Sequence, residues 1–324
     1  MIERIEGERT LRLWRRGLAC VLLFDAISYV ARTVPDAREH AAWASAAGWI
    51  GAMAGSWAVV GAVGVAAVAS IVAFARARDP LLPGLFALAL ARAQHELLSA
   101  TLGVFQQNYY QSGSALGGWV AGRAFVRAWN RLDETPIGER DAERIAAYGA
   151  MGMLAATWVN AGVSKLRETG LAWATSDGLR LMLLAHWRPG HAIWREPIFL
   201  YVVGHPRFAV ALQVATLVVE LGAIFLLARG RLRVATGAAV VALHAGIWLT
   251  SGIQFVEAAA LAAVFGFPWV GGAGDDEAPG RASYARRSVA VATVEVALVL
   301  GALALSTLPA RDQPTARGPA ADTR

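Results

Sequence analysis

The sequence predicts an all-α protein, a polytopic transmembrane helical bundle of about seven or eight spans with interfacial helices beside them. Three observations predict it. The 324 residues are 56% hydrophobic and only 17% charged, where a soluble domain carries roughly a quarter charged residues. The apolar residues come in runs of about 20, the length that crosses a bilayer as a helix. Short arginine-bearing loops separate the runs, which is how topology is encoded. A mean hydropathy of +0.45 and twelve Trp against six Tyr agree, since Trp anchors at membrane interfaces.

The charge balance narrows the function classes. Thirty Lys+Arg face 24 Asp+Glu, a formal charge of +6. Because the basic residues lie in loops between apolar runs, they mark a membrane side, and nucleic acid is not an expected partner. The single cysteine, Cys20, excludes an internal disulfide, a CxxC redox pair and a cysteine-based zinc site. No HExxH and no i, i+4 histidine pair is present, so no metal is expected.

The elements follow in order. Residues 1–16 read as a short surface helix whose Arg12, Arg15 and Arg16 stay in the cytoplasm, and not as a cleavable signal. The first span is 17–34, closed by Pro35-Asp36. Residues 41–75 are too long for one span and divide into an interfacial piece at 41–52 and a span at 55–75. The third span is 81–105. The segment GWVAGRAFVRAW at 118–129 has two arginines and reads as an interfacial helix. The fourth span is 145–164 and continues into an amphipathic stretch that lies flat or dips inward. A weaker run follows at 193–206. The fifth span is 208–228. Spans at 234–250 and 253–270 are joined by a tight turn at Ser251-Gly252, and a last span covers 289–308. Residues 1–310 form one domain and 311–324 a disordered tail. The basic loops at 12–16, 76–78, 229–233 and 281–287 all fit one side, which puts the N-terminus in the cytoplasm of a bacterial-type cell membrane.

Charges at membrane depth cost about 2.5–3.5 kcal/mol each and face a cavity or a partner. The candidates are Asp25, Arg92, His95, Glu96, Lys165, Glu220, His244, Glu257 and Glu295. Arg92 and Glu96 are four apart on one helix face, with His95 beside them. An internal ion pair accounts for the two charges, and a proton donor or acceptor at His95 is the functional alternative. His244, Trp248 and Ser251 share an i, i+4, i+7 stripe, which Thr250, Gln254 and Glu257 parallel if the helix runs through the turn. Helix–helix hydrogen bonding explains such a stripe as well as a site does. Lys165 ends the fourth span, where snorkelling to the headgroups is the ordinary role. Asn160, one turn deeper, and the amphipathic chain beyond point instead to a lysine over a buried pocket, where it is a candidate base.

The stretch NAGVSKLRETGLAWATSDGLRLML resembles the signature of the HTTM (horizontally transferred transmembrane) domain family, similar to the membrane part of vitamin K-dependent γ-glutamyl carboxylase. LHAGIWLTSGIQFVEAAALAAVFGFPW is similar to a later segment of that family. The two segments cover about 50 residues, and the hydropathy layout extends the likeness over most of 1–310. The resemblance implies a reduced, vitamin K-like quinone as cofactor or substrate. It implies Lys165 as the base that deprotonates it, with His95 and His244 lining the pocket. Asn160, Trp173, Glu96 and Arg92 are expected to bind substrate. The carboxylase histidine of an Asn-Asn-His context has no counterpart in QQNYYQ at 106–111, where Asn108 stands without a histidine. No counterpart of the carboxylase's lumenal domain is expected either, which argues against carboxylation of a protein substrate. The partners expected are the lipid bilayer and a lipophilic quinone. The alternative function is a non-catalytic accessory, immunity, peptide-export or transport component on the same fold, with a protein partner of unknown identity.

Overall fold

A computed structural model describes residues 8–102, 110–132, 136–175, 177–186, 195–253 and 255–267, and all regular structure among them is helical. The expected loop at 271–288, the last span at 289–308 with Glu295, the tail, Asn108 and Gln254 lie outside the described residues.

Helix α1 spans Glu8–Glu39. Leu11, Trp14, Leu18 and Leu22 are buried along one face, the i, i+3, i+7 spacing of a helix that packs on a core. This stripe crosses the boundary that the sequence reading drew at residue 16. The surface helix of 1–16 and the span of 17–34 are therefore one helix from Glu8 on, and it also passes through Pro35.

Two short helices, α2 (Ala41–Ala46) and α3 (Trp49–Ala54), fill the interfacial segment. Helix α4 (Trp57–Arg76) starts on Ser56, whose hydroxyl accepts from the Val59 N–H. Helix α5 covers Leu81–Leu102.

Helices α6 (Gln111–Leu132) and α7 (Glu139–Thr169) form the centre of the bundle. They approach through small residues. A Cβ on Gly118 would stand 2.2 Å from the Gly149 carbonyl oxygen, and one on Gly122 2.7 Å from the Ala146 Cα. Such contacts let backbones pack closely where lipid gives no hydrophobic drive for association. The expected interfacial helix at 118–129 is thus corrected: it is part of α6, and its Trp119 is fully buried, as is Leu116 just ahead of it.

Beyond α7 come α8 (Ala172–Thr175), α9 (Gly178–His186) and α10 (Glu196–Gly204). Helix α11 (Pro206–Gly222) ends in a 3-10 turn at Ala223–Leu227. Helix α12 (Arg231–Ser251) stops at Gly252, whose φ of +79° is left-handed, the conformation glycine adopts without strain. This bears out the tight turn. It also breaks the proposed polar stripe, because Glu257 belongs to a separate helix, α13 (Val256–Gly266). At 11 residues, α13 is about 16 Å long and too short to be the span expected at 253–270. It runs antiparallel to α1: the Trp14 and Phe265 ring centroids are 6.1 Å apart, and the Trp14 indole N–H donates to the Phe267 carbonyl at 3.4 Å.

Among the described residues, four helical stretches are long and apolar enough to cross a membrane: Arg9–Glu39, Trp57–Arg76, Pro206–Leu227 and Arg231–Ser251. Their outward faces are apolar, as at Ile27, Val65 and Val218, which suits lipid as the surrounding solvent.

Three of the four basic segments meet at one end of the bundle. Arg15 lies 3.2 Å from the Glu143 carboxylate, and Arg123 bridges Glu139 at 2.8 Å and Asp79 at 3.5 Å. Arg233 stacks between Trp14 and Tyr148, 5.1 Å from each ring.

Candidate functional site

Lys165 is the only lysine in the chain, so 29 of the 30 cations are arginine. Arginine holds its proton under all ordinary conditions, whereas a shielded lysine can release one. Lys165 sits near the end of α7, on the face that meets α11. Gly162, one turn earlier, permits the approach: a Cβ there would lie 3.1 Å from Leu221 and 3.2 Å from the Glu220 Cβ. The Lys165 ammonium consequently reaches both carboxylate oxygens of Glu220, at 2.6 and 2.8 Å. It also donates to the Ala161 carbonyl at 3.4 Å and faces the Trp173 ring at 5.4 Å. The side chains are 23% and 11% exposed, so water reaches the pair from one side only. Lys165 is turned onto a neighbouring helix instead of projecting outward as a snorkelling lysine does.

Trp173, on α8, closes the site. The Gln213 amide, fully buried on α11, donates to the Trp173 carbonyl at 2.5 Å. Gln213, Leu217 and Glu220 are buried together on α11 at the i, i+4, i+7 spacing of one helix face. The Trp173 indole N–H is buried and has no acceptor among the described residues, which leaves it as a donor for a ligand oxygen.

His244 is buried on α12 between Trp158 and Phe255, with ring centroids at 6.1 and 5.5 Å. Its Nδ1 lies 2.8 Å from the Val240 carbonyl oxygen. Trp158 precedes Lys165 by seven residues, two turns on the same face of α7, so His244 packs against the face of α7 that carries Lys165. The Trp158 indole N–H likewise has no acceptor among the described residues.

His95 belongs elsewhere. It is fully buried on α5 against Tyr110, at 4.9 Å between rings. Arg92 covers the same tyrosine at 5.5 Å and pairs with Glu96. That pair is nearly half exposed, so Arg92 and Glu96 line the outside of α5 and not an internal pocket. Asn160 lies about 140° around α7 from Lys165, at 100° per residue, and does not share its face.

Of the expected site residues, the structure thus joins Lys165 with Trp173, sets His244 against the same face of α7 two turns away, and leaves His95, Arg92, Glu96 and Asn160 outside. Glu220 was visible as a charge at depth, but nothing in the sequence paired it with Lys165, 55 residues away. Gln213 was missed. Its signal was the seven-residue spacing from Glu220 within an otherwise apolar run. Among the described residues no group of three His, Cys, Asp or Glu side chains could hold a metal ion.

Compared with family models, curated proteins and solved structures, the chain matches none. The likeness to HTTM domains rests on the two sequence segments quoted above.

Proposed function

We propose that this chain is a multi-pass membrane protein with an HTTM-like fold of seven or eight spans, its N-terminus in the cytoplasm of a bacterial-type cell membrane. We infer that it binds a lipophilic quinol and deprotonates it at Lys165. The observation that carries this reading is the Lys165–Glu220–Trp173 arrangement. The Lys165 ammonium and the Glu220 carboxylate stand 2.6 Å apart, close enough for a proton to pass from one to the other. In the proposed reaction Lys165 gives its proton to Glu220 and takes one from a quinol hydroxyl; the quinolate passes two electrons and its second proton to molecular oxygen, and the hydroperoxide anion so formed recovers a proton from the pair, leaving quinone and hydrogen peroxide. The indole face of Trp173 offers an aromatic surface for the ring, and its free N–H offers a donor to a quinol oxygen. The gathering of basic residues at one end of the bundle supports the orientation, since positive loops stay in the cytoplasm.

The test is quinol-dependent oxygen consumption by purified protein in lipid nanodiscs. The wild type consumes oxygen and Lys165→Ala does not, while both give the same thermal transition. Absence of consumption by the wild type overturns the enzymatic reading. Mass spectrometry of the purified protein separates the alternative: a stoichiometric quinone supports the proposal, and a bound small protein supports a non-catalytic accessory.

A further inference from the structure

A second polar centre lies in the interior, away from Lys165. The antiparallel packing of α1 on α13 sets Asp25 against Glu257, with Ser112 at the start of α6 completing the group. The Asp25 carboxyl stands at hydrogen-bonding range of the Glu257 carboxyl and the Ser112 hydroxyl. The Ser112 backbone N–H donates to Glu257 Oε1. Both acids are deeply buried, Asp25 at 7% and Glu257 at 5% exposure. Neither has a Lys or Arg partner among the described residues. Around them are Tyr29 on α1, Ser112 on α6 and Gln94 of α5, with His95 and Arg92 of α5 packed on Tyr110, which lines the same cavity; α4 presents Ile71, and His244 of α12 packs on Phe255, two residues before Glu257.

The donor count is the telling feature. Asp25 Oδ2 and Glu257 Oε2 are buried, and no donor among the described residues reaches them. An ionised carboxylate only accepts hydrogen bonds. Two that face each other without a cation between them repel in a medium that screens poorly. A proton on either oxygen supplies the missing donor and removes one of the two charges. Asp25 also opens on a small cavity lined by Tyr29, Gln94, Tyr110 and Ser112, with room for about one water.

We propose that Asp25 and Glu257 form a proton-binding site inside the bundle, one proton being shared between the two carboxyl groups and exchanged through a water in the adjoining cavity. The site is independent of the Lys165 reading and stands if that reading falls. Tyr110, which lines the cavity, also packs on the buried His95 ring at 4.9 Å, which puts that histidine beside this centre.

Infrared spectroscopy of the full-length protein tests it through the carbonyl band of a protonated carboxyl group, recorded in H2O and D2O across a pH titration. At pH 7 the wild type carries such a band, it shifts in D2O, and Asp25→Asn/Glu257→Gln lacks it. Lys165→Ala retains it, which keeps the two readings separable. A band absent from the wild type, or unchanged in the double variant, overturns the proposal. Should the double variant not fold, each single replacement carries the test. Removing one acid takes away the partner with which the proton is shared, so the pH midpoint of the remaining carboxyl's band moves. An unchanged midpoint overturns the sharing. Loss of the band when sodium chloride replaces choline chloride overturns it too, and assigns the site to a monovalent cation.

Discussion

Replacing Glu220 with glutamine leaves Lys165 as a mostly buried cation. It keeps the Ala161 carbonyl at 3.4 Å and the Trp173 face at 5.4 Å but loses both short contacts to carboxylate. Breaking a fully buried pair costs about 3–5 kcal/mol. Lys165 is 23% exposed and retains a cation–π contact, so about 1–2 kcal/mol is expected for Glu220→Gln. Lys165→Met strands the more buried partner, Glu220 at 11% exposure, and should cost more, about 2–4 kcal/mol. The double variant Lys165→Met/Glu220→Gln has no uncompensated charge. Its loss should therefore be smaller than the sum of the two singles by about 1.5–3 kcal/mol. Reversible unfolding of the four proteins in mild detergent, followed by Trp fluorescence, gives the cycle. Additive losses within about 0.5 kcal/mol would show that the two side chains are uncoupled, and the proton-sharing argument for Lys165 would fall with them.

Two further predictions concern the scaffold. Gly149→Leu places a side chain where even a Cβ stands 2.2 Å from the Gly118 carbonyl oxygen; α6 and α7 must separate, and the variant should lose at least about 1–3 kcal/mol, read as a lower thermal transition in size-exclusion fluorescence, whereas an unchanged transition refutes the close crossing. At the basic end of the bundle, burial pushes the Glu143 carboxyl above its ordinary value of 4.5, with Arg15 and Arg123 pulling it back. Its folded state holds the proton more tightly than the unfolded chain does, so wild-type stability should rise as pH falls from neutral toward 4.5, and Glu143→Gln, which resembles the protonated form, should flatten that part of the profile.

The helical class of the chain and the positions of most helices were legible in the sequence. Apolar runs of bilayer length and the Ser251-Gly252 turn behind α12 are local signals, and the backbone obeys them. Boundaries failed where packing overrode the local pattern. Arg12, Arg15 and Arg16 suggested a surface helix, yet Leu11 and Trp14 continue the buried stripe of α1. Arg123 and Arg127 suggested that 118–129 lies at the interface, yet Gly118 and Gly122 seat α6 against α7, and Arg123 finds Glu139 and Asp79 at the end of the bundle.

The polar interior divides in the same way. By itself the sequence determined which residues are costly at depth, because that cost depends on residue type and on the apolar run around it. It thus singled out Lys165, Glu220, Asp25, Glu257, His95 and His244. Only the tertiary structure decided their partners. Lys165 meets Glu220 across 55 residues, and Asp25 meets Glu257 through the antiparallel pairing of α1 and α13. His95 shares Tyr110 with the carboxyl pair's cavity and stays apart from the lysine. The reason is physical: a helix fixes which residues share its own face, but the face it meets is set by where small residues let two backbones approach, and that information is spread over both helices at once.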